Sequence, residues 1–174
     1  LEEQVAADTS GFKLDEFFPN VIQGFRMGPS GQGSGDLYGL PTLTHGVQVC
    51  LWFNRDLIEG AGLEAPADNW TRDQLMDMAT KVTKDGVFGF LPATGDYSNH
   101  RNHTLAFGGE IISEDGTKAT IADEKCRAAF QWVHDCFFKA KVAPTASQIQ
   151  GNTDQMFLGG KLASYQSGGW ALPT

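Results

Sequence analysis

Apolar residues keep helical spacing most clearly after Asp123. There Cys126, Phe130, Val133, Phe137 and Ala140 follow at intervals of four, three, four and three, the stripe by which an amphipathic helix packs on a core. Lys139 and Lys141 stand at its end, where cations suit the helix dipole. Leu75, Met78, Ala79 and Val82 keep the same spacing behind Thr71-Arg72-Asp73-Gln74, the pattern of a capping box. Residues 54–61 predict a short helix stopped at Gly62, and 154–158 a last one. Runs of apolar and β-branched residues at 37–41, 47–53, 87–91 and 162–165 predict strands. Near the start, Phe17, Phe18, Val21, Ile22 and Phe25 share a helical stripe, and 28–35 (GPSGQGSG) reads as a flexible surface loop. Short strands alternating with helices indicate an α/β domain.

Composition narrows what such a domain can do. The 174 residues are 41% hydrophobic and 20% charged, enough chain for one globular domain. A net charge of −8, with only 13 scattered Lys and Arg, excludes nucleic acid, whose phosphates demand clustered cations. No stretch approaches the roughly 20 apolar residues that span a bilayer. Leu1-Glu2-Glu3-Gln4 lacks the basic-then-apolar pattern of a signal peptide, so a signal has been removed or the sequence starts inside a longer protein. The three cysteines, Cys50, Cys126 and Cys136, have no metal-ligand spacing. Cys126 and Cys136 fall on one predicted helix about 15 Å apart, too far for a disulfide, and read as small core residues. His100-x-x-His103 has no third ligand nearby, so no metal and no cofactor is expected. No Gly-x-Ser-x-Gly occurs, and Glu110 and Asp115 sit among hairpin turn residues rather than as a facing carboxylate pair, so an enzyme is not expected.

The order of motifs says more than any one of them. Tyr38-Gly39-Leu40-Pro41 precedes a strand, and Phe53-Asn54-Arg55-Asp56-Leu57 opens a helix ending in Ala61-Gly62-Leu63. Asn69-Trp70, Gly86-Val87-Phe88-Gly89-Phe90, Gly108-Gly109-Glu110 and Glu114-Asp115-Gly116-Thr117 follow. Phe157, Gly160-Lys161-Leu162-Ala163 and Gly168-Gly169-Trp170 close the series. From about Leu14 to Trp170 this series resembles the family-one extracellular solute-binding proteins, which are similar to maltose-binding protein. The resemblance implies a type II periplasmic-binding-protein architecture, two α/β lobes around a ligand cleft. Because family members are longer at both ends, it also implies an internal piece. Residues 1–46 would be the end of a lobe-one segment with a hinge crossing, and 47–174 the main part of lobe two. The implied function is reversible binding of a sugar or oligosaccharide for delivery to an ABC transporter permease. The implied place is the periplasm or the cell exterior, with a lipoprotein anchor in the latter case. A receptor of the same fold for a polyol, phosphate ester or polyamine, or a non-transport interaction module, are the alternatives.

Sugar recognition needs aromatic faces for C–H surfaces and polar side chains for the hydroxyl rim. By family position Trp170, after its glycine pair, is the foremost ligand-binding candidate. The polar run 96–103, read as a link between strand and helix, contributes Asp96, Tyr97, His100 and Arg101. Thr44 and His45 (with Gln48) follow the Tyr38-Gly39-Leu40-Pro41 motif where first-lobe ligand residues occur, and Gln150 matches a cleft position. Trp70 is read as a staple for the capped helix, Trp132 as cover for a neighbouring element and Trp52 as core. Apolar side chains around 14–21 and after Trp170 are expected to be exposed and to promote self-association.

Overall fold

The computed structural model describes residues 1–41, 49–149 and 151–171, and the chain divides into two compact units, Leu1–Gly46 and Val47–Thr174. In the first unit, helices α1 (Glu2–Ala6) and α2 (Pro19–Gly24) precede strands β1 (Arg26–Gly28), β2 (Gly31–Gln32) and β3 (Asp36–Leu37). The strands pair antiparallel in the order β2-β1-β3, so residues 28–35 belong to a meander rather than a loose loop. Its turns rest on Gly31, Gly33 and Gly35, with φ of 101°, 104° and 87°, a region that other residues rarely adopt. At Gly35 a Cβ would also run into the backbone of Met27 and Gly28. The predicted helical stripe is broken as well. Pro19 begins α2 and leaves Phe18 extended before it. Phe18 is therefore 70% exposed, while Phe17 packs on Phe12 with ring centroids 5.5 Å apart.

The second unit runs β4 (Cys50–Phe53), α3 (Arg55–Gly60), α4 (Arg72–Val82), α5 (Tyr97–Ala106), α6 (Glu124–Phe138), α7 (Thr153–Leu158) and β5 (Ser164–Ser167). Strand β5 pairs antiparallel with β4, Trp52 opposite Tyr165 and Phe53 opposite Ser164. Along its other edge residues 88–91 bridge to it in parallel, with Leu91 N–H donating to Ser164 O at 3.0 Å and Gln166 N–H to Leu91 O at 3.1 Å. A parallel neighbour requires a crossover, and the chain carrying α5, α6 and α7 supplies it. The regular part of β5 lies later than the predicted 162–165, and 88–91 forms bridges rather than a full strand.

The expected starts of α3 and α4 are present, and α7 has a cap the sequence reading did not name. Asn54 Oδ1 caps α3 by accepting from Leu57 N–H at 3.1 Å. Thr71 and Gln74 cap α4 reciprocally, and Asn152 and Gln155 do the same for α7; a cap of this kind contributes about 1 kcal/mol. Trp70 packs on Ile58, Met78, Val82 and Ala163, as a staple should. Helix α6 buries Cys126, Ala129, Val133 and Cys136, a face rotated from the predicted stripe. The small Ala129 and Cys136 are fully buried, Phe130 and Phe137 are half-buried at the borders of that face, and Ala140 lies exposed past the helix end. Burial pushes the Cys136 thiol up to about 12, so it is an inert core group. No helix among the described residues is long and apolar enough to cross a membrane.

Two contacts tie these elements together. Gly89 lies against α4 so closely that a Cβ there would collide with the Ala79 carbonyl. Its N–H donates to Thr83 Oγ1 at 2.9 Å, and its carbonyl accepts from Ser164 Oγ at 2.7 Å. On α5, His103 is only 4% exposed, packs on Trp132 with centroids 5.9 Å apart, and donates from Nε2 to Ala93 O at 2.8 Å. Burial, reinforced by the neighbouring His100 and opposed by the Ala93 carbonyl, lowers its pKa from 6.5.

Replacing Gly89 with Ala is expected to destabilise the second unit by about 1–3 kcal/mol, read as a lower urea midpoint at unchanged m-value. His103 takes up its proton at lower pH in the fold than in the unfolded chain, where it does so near pH 6.5. Its contribution is therefore present above that pH and lost as pH falls below it. Thermal melts should show stability declining from pH 7 to pH 5, and His103→Gln should flatten that decline. The carboxylates of this unit with lowered pKa, Asp96, Glu110, Asp115 and Asp135, act only at lower pH.

Candidate functional site

The turn after residues 88–91 and the end of β5 meet around Ala93. Gln166 Oε1 accepts from Ala93 N–H at 3.1 Å, and His103 donates to the Ala93 carbonyl. Both polar groups of one peptide-bearing residue are thereby held from opposite elements. Beside this clamp lies an open groove of about 360 Å³, walled by Thr94, Gly95, Ile149, Tyr165, Gln166 and Ser167 among others. Tyr165 O–H donates to Asp154 Oδ1 at 2.8 Å; burial, then that carboxylate, raises the phenol's pKa. The wall thus combines apolar surface with fixed hydrogen-bonding groups, the usual make-up of a small-molecule pocket.

Past Ser167 the backbone passes through Gly168 and Gly169 into a short 3-10 turn, Gly169–Ala171, which carries Trp170. Its indole is 62% exposed and lies over Gly168, where a Cβ would strike the ring. Trp170 is not part of the groove wall; it sits in the turn directly after the strand residues that are.

The polar run 96–103 is not a link but the cap and first turns of α5. Asp96 Oδ1 accepts from Asn99 N–H at 3.0 Å and Ser98 Oγ at 2.7 Å, which hold its pKa below the usual value. His100 turns to Phe130, centroids 5.9 Å apart, with Nδ1 buried and without a hydrogen-bond partner. Neither lines this groove or the one at Arg101. Tyr97 and Arg101 line the latter, a second and larger groove of about 910 Å³, with Glu110, Ile112, Glu114 and Lys125 among its other residues. There Arg101 grips Glu110 with two bonds, Nε to Oε1 at 2.9 Å and Nη2 to Oε2 at 2.6 Å. The guanidinium, then the Ile111 N–H, lower the Glu110 pKa. The larger groove is not the one beside Trp170, so size alone does not rank them.

Thr44, His45 and Gln150 lie outside the described residues. Sequence reasoning passed over Gln166 and the Tyr165–Asp154 pair, and read Glu110 only as a turn carboxylate. The one available signal was a Gln and a Ser placed just before the Gly168-Gly169 pair. Trp52, read as core, packs half-buried on Met156, Leu162 and Tyr165, with its Nε1 buried and lacking a partner. Trp132 covers Phe90, as expected, and also His103 and Phe107. Among the described residues no three His, Cys, Asp or Glu converge as metal ligands would.

Residues 2–172 match the family model described as bacterial extracellular solute-binding protein. A Brucella abortus (strain 2308) relative, described only as a binding protein, is 30% identical over 134 residues, 74% of this chain and 31% of its own length. An ABC substrate-binding protein from Listeria monocytogenes in complex with cycloalternan matches with a TM-score of 0.83 at 22% identity, over 98% of this chain and 42% of that one. Maltose-bound MalE3 of T. maritima matches with a TM-score of 0.74 at 24% identity, over 96% and 42%. The Thermus thermophilus maltotriose binding protein bound with maltotriose gives 0.64 at 26% identity, over 99% and 41%. The chain spans just under a third of the curated relative's length and about two-fifths of each solved structure. The shared fold is that of type II periplasmic binding proteins. With the family model running along nearly the entire sequence, the chain belongs to the bacterial extracellular solute-binding proteins.

Proposed function

We propose that this chain binds a carbohydrate reversibly, outside the cytoplasm, as part of the receptor of an ABC importer. The observation that carries the reading is the exposed indole of Trp170, set over Gly168 in the turn that directly follows the groove-wall residue Ser167. An exposed aromatic face next to fixed donors and acceptors suits a pyranose, whose C–H faces stack while its hydroxyls bond. The named ligands of the structural relatives, cycloalternan, maltose and maltotriose, support the choice of class. In this reading Leu1–Gly46 corresponds to the end of a lobe-one segment with a hinge crossing, and Val47–Thr174 to the main part of lobe two. Delivery to an ABC permease, and any lipoprotein anchor, follow from the family relationship. Relatives by sequence and structure are binding proteins rather than enzymes, so the bound sugar is expected to be recovered unchanged.

Affinity on a glycan array, followed by calorimetry on the best neutral oligosaccharide, tests this. Trp170→Ala should weaken binding at least tenfold, about 1.4 kcal/mol, with unchanged circular dichroism. Gly168→Ala should weaken it as well, by pushing the indole out of place. Absence of binding to every arrayed glycan, or full affinity in Trp170→Ala, would overturn the proposal.

A further inference from the structure

Strand β4 is paired along one edge and open along the other. Asn54 N–H donates to Ala163 O at 2.8 Å, and the register from there sets Trp52 opposite Tyr165 and Cys50 opposite Ser167. Backbone groups alternate between the two edges of a strand. Cys50, Trp52 and Asn54 therefore face β5, while Leu51 and Phe53 turn their N–H and C=O away from it. The other edge of β5 agrees with this phase, because Ser164 O and Gln166 N–H, on the residues opposite Phe53 and Leu51, are taken by Leu91. Among the described residues nothing pairs with the outward groups of Leu51 and Phe53.

Open edges in soluble proteins are usually guarded by charges, proline or a bulge. Residues 47–53, Val-Gln-Val-Cys-Leu-Trp-Phe, contain no charge, proline or glycine. The side chains of β4 are also engaged on both faces. Leu51 packs on the cluster of Phe90 and Val142, and Phe53 on that of Ile58 and Met78. Trp52, on the opposite face, packs on Met156 and Leu162. Cover on both faces with a near-continuous apolar run is the signature of an interior strand. What β4 leaves unmet is backbone, and an extended strand is what satisfies a row of backbone groups. The edge is complementary to itself. About a twofold axis at Trp52, Leu51 of each copy falls opposite Phe53 of the other and exchanges both hydrogen bonds with it. The Trp52 side chains of the copies then stand side by side, Cβ atoms about 5 Å apart. No like charges meet there, in a chain whose net charge of −8 opposes most other contacts between copies.

We propose that the open edge of β4 is an interaction surface for a second copy of this chain, paired antiparallel through Leu51 and Phe53 about Trp52. The contact is made by backbone, uses the same patch on both copies and so closes at a dimer. It does not depend on the carbohydrate reading.

Light scattering across a concentration series, with amide hydrogen exchange followed by NMR on the same chain, tests this. The mass should pass from one copy to two as concentration rises. Over that range exchange at the Leu51 and Phe53 amides should slow by roughly tenfold or more, while the Trp52 amide, which faces Tyr165, is protected throughout. Leu51→Pro removes an outward donor and no bond to β5; it should weaken the dimer by roughly tenfold or more with unchanged circular dichroism. A single copy at every concentration overturns the proposal, as does growth beyond two copies. So does a dimer whose Leu51 and Phe53 amides still exchange freely, as one held through the exposed Phe18 would show, or a folded Leu51→Pro chain that dimerises as before. If Leu51→Pro does not fold, exchange at the two amides of the unaltered chain decides between these outcomes.

Discussion

The second unit depends on β5 being paired along both edges. Antiparallel pairing with β4 and parallel bridging to residues 88–91 place Ser164–Ser167 inside the structure, where Ser164 and Tyr165 are buried. A strand so placed needs its polar atoms satisfied, and Ser164 Oγ finds the Gly89 carbonyl. Gly89 can sit there only because it has no side chain to meet the Ala79 carbonyl on α4. The seam of strand and helix is set by that close approach, and Phe90, fully buried next to it, contributes about 1.5–3 kcal/mol by leaving water. From the fixed strand the chain then runs out through Gln166 and Ser167 to Trp170, so the register of β5 also decides where the exposed indole stands.

Around the first groove, polar side chains are used to hold backbone. Gln166 and His103 secure the two sides of Ala93, and Asp96 secures the start of α5. These bonds keep residues 92–96 in one conformation on a rigid support, which is how loops usually carry recognition. The neutral, buried state of His103 is part of that arrangement. It donates one proton to a carbonyl and, with Trp132 against its ring, has no room for a hydrated charge. Arg101 and Glu110 differ in that they remain accessible, so their pairing orients them without removing them from contact with solvent.

Helices with their caps were legible in the sequence because the causes are local. Thr71 and Gln74 are three residues apart, and the stripe of α4 needs nothing beyond its own spacing; the equally local box of Asn152 and Gln155 went unread. Motif order likewise pointed to the family, since it is a property of the chain read end to end. Trp170 and Tyr97 stood out as candidates from position and residue type, and both are exposed in the fold.

What periodicity could not decide was every choice made across the chain. The face of α6 turned so that Ala129 and Cys136 are buried in place of Phe130 and Phe137, because the partner surface that a helix packs on is not encoded in the helix itself. The stretch 28–35 became a meander through glycines at positive φ, a conformation that composition alone reads as loop. The polar run 96–103 became a helix with a buried His103, because its hydrogen-bond partner, Ala93, was brought over it by folding. Gln166 acquired its place from Ala93, 73 residues earlier in the chain. The sequence by itself determined the helices whose spacing and stop signals are local, such as α3, α4, α6 and α7, and the family. Tertiary structure decided which polar residues were committed to holding backbone and which were left free to meet a ligand, because burial and hydrogen-bond partners are properties of neighbours in space.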